Sequence, residues 1–444
     1  MNDNIKGIPY TTAEFGKDGQ LLVKPTLPAN TTDLIVISHG WNNDRDDAER
    51  LYQRLFENFV DVTADDTAIK QRTLAIMGVI WPSKKFDELI TELDASSEVA
   101  GGAASTGQVV DHARSEASMH AAIDRAAPLF DDAGDAERIA ALHQLVPTLE
   151  DDTQAQRQFV TTLRELLDPA GTRMEEQTKE DGADVFHRDD ADSVFESVAK
   201  PPAGRPSIKS DDSDRASDAE GSASSLRSFI SGAAHAVTSL MNITTYFEMK
   251  QRAGTVGKIG LAPLLDELSA ELERIHLVGH SFGGRVVAAA AANSTTNKLY
   301  SLTLLQAAFS HSGFSRHRRG FFESVIAKKR IVGPILITHT VNDRAVGIAY
   351  PIASRISRDK SNALGDADDE FGGIGRNGAQ GMDDGEIFTD LSELLSVGEP
   401  YNWQQGKIHN LESSEFIIDP GGGDAHGQVF VREVAWAISR AVAS

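Results

Sequence analysis

The stretch RIHLVGHSFGGRVV, Arg274 to Val287, constrains the fold of this chain more than any other. Arg274 to Val278 read as a short strand, Gly279-His280-Ser281-Phe282-Gly283-Gly284 as a sharp turn, and Arg285 to Ala292 as an alanine-rich helix. A serine therefore sits at the apex of a strand-to-helix turn. Lifting its hydroxyl clear of a sheet brings main chains close together, and glycines two residues either side of the apex, Gly279 and Gly283, meet that need. The plainer reading is a glycine-rich turn whose serine caps the helix, and the agreement of strand, elbow and helix weighs against it.

The rest of the chain supplies a sheet for that turn. Residues 8 to 25 read as a hairpin, with Tyr10 to Phe15 and Leu21 to Lys24 extended and Lys17-Asp18-Gly19 as the turn. Leu34 to Ile37 is a continuous apolar run suited to a strand buried on both faces, and it ends in Ser38-His39-Gly40-Trp41-Asn42-Asn43. A helix from Asp46 to Val60 follows, with Leu51, Leu55, Phe56 and Phe59 at helical spacing and Asn43 or Asp44 placed to cap it. Leu74 to Trp81 is a second buried strand, stopped by Pro82. Strand, helix, strand is the pattern of a parallel sheet. Beyond the serine turn, Leu302 to Gln306 and Ile335 to His339 are two more buried strands, Lys407 to Leu411 and Phe416 to Ile418 read as extended, and Phe430 to Val442 closes as a helix.

Between these parts the periodicity changes to helical. Phe86, Leu89, Ile90 and Leu93 share a face, as do Ile139, Leu142, Leu145 and Leu149, then Phe159, Leu163 and Leu166. The expected organisation is a core from residues 1–91 and 229–444 with a helical, lid-like insertion at 92–228 packed over the rim of the sheet. Residues 175 to 225 are rich in Asp, Glu, Ser and Gly and include the run Lys200 to Pro206. Ordering backbone costs about 1–2 kcal/mol per residue, and so little apolar surface predicts a solvated segment, with a protein partner as the alternative role. Phe229 to Phe247 marks a long amphipathic helix, and Pro263 opens another that leads into the serine strand.

A formal net charge of −23 repels phosphate backbones and anionic membranes, so nucleic acid is not expected as a partner. The 444 residues include no cysteine, which excludes disulfides and thiolate chemistry. No run is long and apolar enough to span a bilayer, and MNDNIKGIPY is not a signal peptide, so a cytoplasmic location is expected, with signal-independent export left open. Two motif matches fail on context. Gly373 to Gly378 matches G-x-G-x-x-G without the flanking strand and helix of a dinucleotide site, and the aspartates at 366, 368 and 369 are out of register for a calcium loop. The basic segments at 317–319 and 328–330 read as solvated loop surface.

The elbow G-x-S-x-G, read with its strand and helix, resembles the nucleophile elbow of the α/β-hydrolase superfamily, of the esterase and lipase kind. The resemblance covers roughly residues 30–90 and 245–440; TTYFEMKQRAGTVGKIGL and VAWAI are similar to segments of bacterial hydrolases. It implies an α/β-hydrolase fold with a mostly parallel sheet flanked by helices. It also implies a serine hydrolase that needs no cofactor or metal, acting on a small-molecule or lipid ester or a thioester; a peptidase, or an inactive binding protein on the same fold, stays open. The family order of nucleophile, acid and base puts Ser281 first. Asp343, just past the end of a buried strand, is the candidate acid, with a helix-capping aspartate as the alternative. His426, after the run Gly421-Gly422-Gly423 and before the last helix, is the candidate base. His409 is the competing histidine, but it falls inside a strand pattern, where packing is the commoner use. The oxyanion would be held by the amides of Phe282 and of Trp41, or failing that Asn42, with His39 and Gly40 supporting the loop.

Overall fold

Buried apolar runs that would be insoluble alone pair into one sheet. The computed structural model describes residues 4–41, 43–83, 108–168, 186, 189–199, 232–343 and 372–444. Its strands are β1 (Asn4–Ile5), β2 (Ile8–Phe15), β3 (Leu21–Val23), β4 (Asp33–Ser38), β5 (Leu74–Ile80), β6 (Arg274–His280), β7 (Leu299–Leu305), β8 (Ile335–His339) and β9 (Ile408–Glu412). They lie in the order β1-β2-β5-β4-β6-β7-β8-β9, with β3 paired to β2. From β2 through β9 every pairing along this path is parallel, whereas β1 and β3 run antiparallel to β2.

A parallel sheet needs cover on both faces, because its crossovers put helices there. β4 illustrates the consequence: all six residues are buried, with Leu34 and Val36 in one apolar cluster and Ile35 and Ile37 in the other. Burial of each such side chain stabilises by about 1.5–3 kcal/mol, so a polar substitution on either face is costly. The helices are α1 (Arg45–Val62), α2 (Thr67–Lys70), α3 (Gln108–Ala126), α4 (Asp135–Leu145), α5 (Thr153–Leu167), α6 (Ala191–Ala199), α7 (Gly232–Thr255), α8 (Ala262–Leu268), α9 (Phe282–Asn293), α10 (Glu323–Ala327), α11 (Ile374–Asn377) and α12 (Arg432–Ala443). Helices α1 and α12 cover one face through Tyr52, Leu55, Phe56, Val434 and Ile438. On the other, α9 and α7 pack with Met119, Leu142, Phe159 and Leu163 of the insertion in one continuous cluster. The described insertion helices thus share the core of the sheet.

Three local expectations change. Within the acidic segment expected to be solvated, Ala191–Ala199 forms helix α6, with Val194, Phe195 and Val198 buried. Those three apolar side chains, with Phe186, find the neighbouring insertion helices and α7, which average composition over fifty residues conceals. Phe416 to Ile418 is a turn rather than a strand, since the amides of Phe416 and Ile417 both donate to the Ser413 carbonyl. The Gly373 to Gly378 match is a single helical turn, α11, beside β8. The face expected from Phe86 to Leu93, the aspartates at 366–369 and most of 175–225 lie outside the described residues.

The chain's order within the sheet reverses beside β4. It moves outward from β4 to β5, then returns to the other flank of β4 with β6 and continues through β7, β8 and β9. Open α/β sheets place their sites at the carboxyl ends of the strands flanking such a reversal, here β4 and β6.

Candidate active site

Ser281 follows β6 with φ +56° and ψ −125°, a conformation unfavourable for a side-chain-bearing residue by about 1–3 kcal/mol. Three bonds hold it. The Ser281 amide donates to the Leu305 carbonyl at 3.0 Å, and the Ser281 carbonyl accepts from the amides of Gly284 and Ala308, each at 3.0 Å. The elbow glycines are needed for space. A Cβ on Gly279 would overlap the Gly283 carbonyl, and one on Gly283 would overlap the Ser38 carbonyl at the end of β4.

The loop after β4 lies directly against the serine. A Cβ on Gly40 would overlap the Ser281 Cβ and stand 2.9 Å from its Oγ. The loop is fixed from behind: the Gly40 carbonyl accepts from Ser83 Oγ at 2.9 Å, from His39 Nδ1 at 2.9 Å and from Asn43 Nδ2 at 3.3 Å. Across a trans peptide the C=O and the next N–H point in opposite directions. The Trp41 amide is therefore turned away from the Ser83 side, and it has no acceptor among the described residues. Phe282 is the first residue of α9, so its amide has no intrahelical acceptor either. The Trp41 and Phe282 rings pack edge-on, with centroids 6.0 Å apart. Asn42 lies outside the described residues.

His39 is part of the brace. Its Nε2 accepts from the Trp81 amide at 3.3 Å, so the proton of the neutral ring sits on Nδ1 and donates to Gly40. The ring stacks on Trp81 at 5.5 Å, and burial pushes its pKa down to about 4 against the opposing bond to Gly40. Tyr52 of α1 completes the support: its hydroxyl accepts from the His39 amide and donates to the Val79 carbonyl, both at 2.7 Å. A cavity of about 740 Å³ borders this brace, walled by Asn43, Trp81, Ser83, Leu129 and Arg252, and Ser281 takes no part in its lining.

Asp343 and His426 form the third element. Asp343 is fully buried past the end of β8, and His426 Nδ1 lies 2.8 Å from its Oδ2. A carboxylate accepts, so Nδ1 carries the proton and Nε2 presents its lone pair. Burial lowers the pKa of His426, but the charge and hydrogen bond of Asp343, with the charge of Asp424, outweigh it and raise the net value above the ordinary imidazole range. The side chain remains 18% exposed. Its ring centroid is 5.0 Å from that of His280, the residue immediately before Ser281. Neither Ser281 Oγ nor His426 Nε2 has a hydrogen-bond partner among the described residues.

His409 sits elsewhere. It lies in β9, fully buried, edge-on to Trp403 at 4.9 Å and near Phe388 at 5.3 Å, and its Nε2 accepts from the Gln404 amide at 3.2 Å. Burial pushes its pKa down to about 4. The brace residues Tyr52, Asn43 and Ser83 carried no sequence signal as site residues, because each acts through a contact to a main-chain atom.

No family model, curated protein or solved structure matches this chain. The site's meaning therefore rests on its geometry.

Proposed function

We propose that the protein is a serine hydrolase of the α/β-hydrolase fold that cleaves carboxylic esters through an acyl-enzyme. The observation that carries this reading is the strained Ser281, packed against the Gly40–Trp41 loop while a hydrogen-bonded Asp343–His426 pair stands beside the preceding residue. Strain of this kind persists only where the surrounding structure holds it, and it marks functional positions.

In the proposed reaction, His426 Nε2 takes the Ser281 hydroxyl proton as Oγ adds to the ester carbonyl carbon. Asp343 holds the ring in its Nδ1–H form and stabilises the imidazolium. The carbonyl oxygen becomes an oxyanion facing the amides of Trp41 and Phe282, donors set before the reaction and free of competing acceptors. Collapse breaks the bond to the leaving alkoxide, which receives the proton from His426. Water then repeats the sequence on the acyl-enzyme, releasing the acid and restoring Ser281.

Covalent labelling by a fluorophosphonate probe, followed by turnover on p-nitrophenyl esters of increasing chain length, tests this. Labelling that disappears in Ser281→Ala together with ester turnover supports it. A folded wild-type protein that neither labels nor turns over any ester would leave a binding role on the same fold.

A further inference from the structure

We propose that His280, the residue before the nucleophile, is a positioning residue that ties the base to the nucleophile's own strand through its hydrogen bond to the His426 main chain. The inference rests on the hydrolase reading above. His280 is the last residue of β6 and is 4% exposed. Its Nε2 lies 2.9 Å from the His426 carbonyl oxygen. A carbonyl only accepts, so the proton of this ring is on Nε2, and Nδ1 is buried without a partner among the described residues.

The need for such a tie follows from the loop that carries His426. That loop approaches through Gly421-Gly422-Gly423, and much of its hydrogen bonding is internal: the amides of Gly422 and Gly423 bond to Asp419, and that of His426 bonds to Asp424. Among the described residues, three main-chain or imidazole bonds reach out of it to the site. The Ala425 amide donates to the Asn342 carbonyl at 3.3 Å, His426 Nδ1 donates to Asp343, and the His426 carbonyl accepts from His280. The first two lead to the segment after β8. Of these three, the last leads to β6, which Ser281 follows. Asp343 thus sets the direction of the imidazole, and His280 sets its distance from the serine.

His280 is also suited to stay out of the proton transfer. Burial, then the charge of His426 and of His39, lower its pKa to about 3 against the opposing bond to the His426 carbonyl. The charged or titratable groups facing the pair are Asp343, Asp424 and His39. A ring that remains neutral keeps its donor in place while His426 cycles between neutral and protonated forms.

The test uses the full chain with His280→Gln, whose side-chain amide can place a donor near Nε2, and His280→Asn, which is too short to reach. Displacing a reacting group by about an ångström costs on the order of a hundredfold, so kcat for a short p-nitrophenyl ester should fall about ten- to a hundredfold in Asn. In Gln it should stay within about threefold of wild type, with KM similar in all three and thermal melts matching between the two variants. The acid limb of kcat/KM should hold its position in Gln, since Asp343 still sets the basicity of His426. Equal activity in the two variants, whether both high or both low, overturns the proposal, as does a loss in Asn that appears in KM alone. Wild-type protein without ester turnover or probe labelling would instead overturn the hydrolase reading, so the two failures are distinct.

Discussion

Gly40→Ala isolates the geometry of the site from the stability of the fold. The added Cβ would overlap the Ser281 Cβ, stand 2.9 Å from Oγ and meet the His280 carbonyl at 3.1 Å, whereas ordinary contact begins at 3.4 Å. Serine and loop must therefore part by roughly an ångström, which alone costs on the order of a hundredfold in rate. Ser281 is clamped by three main-chain bonds, so the loop is the part that yields, taking the Trp41 amide with it. Loss of one oxyanion donor costs about 10²–10³ in kcat, and that is the expected range for this variant. Stability should change little. The bonds from Ser83, His39 and Asn43 to Gly40 each contribute about 0.5–1.5 kcal/mol and would lengthen rather than break, while alanine lowers unfolded-chain entropy by about 0.4–1 kcal/mol. Turnover of p-nitrophenyl acetate, probe labelling and a thermal melt on the same preparation decide the matter. A folded Gly40→Ala protein with kcat within about threefold of wild type would refute the proposed oxyanion loop.

Further outcomes follow from the same site. Ser281→Ala should lose about a million-fold in turnover and His426→Ala should approach that defect, whereas His409→Ala should mainly lower the melting temperature by opening a hole beside Trp403; an inactive, stable His409→Ala beside an active His426→Ala would reverse the base assignment. The acid limb of kcat/KM should lie above the ordinary imidazole pKa of about 6.5, because the base must be neutral and Asp343 favours its protonated form. Asp343→Asn removes that charge, so any residual activity should show the limb displaced to lower pH, and a displacement upward would contradict the pairing. His39 is held down to about 4 in the folded protein, so the unfolded chain binds that proton first and stability falls as pH drops from about 6.5 toward 4. His39→Gln should lessen that slope by about 1 kcal/mol per pH unit, measured as unfolding free energy from urea titrations at pH 6.5 and 5; an unchanged slope would show that His39 titrates normally.

The strand–turn–helix at Ser281 was legible in the sequence because its requirements are local. An apolar run, two glycines and an alanine-rich helix admit few other conformations, and the same holds for the runs that became β4, β5, β7 and β8. The bounds differ by only a few residues, since buried parallel strands need continuous apolar stretches and the turns after them do not. What local pattern could not decide was neighbourhood. That β6 pairs with β4 across the 235 residues of chain between them, 39–273, brings Gly40 against Ser281, and nothing in either segment encodes the other's position. His426 and His409 were likewise told apart in the sequence by reach alone; the structure puts a 2.8 Å contact to Asp343 at the first and a pocket of aromatic rings around the second. Helix α6 was hidden because composition is an average while burial belongs to individual side chains. The bonding roles of His280, Ser83, Asn43 and Tyr52 were not legible in the sequence: each works by bonding to another residue's main chain, an atom that every residue carries, so only the tertiary structure determines which one is near.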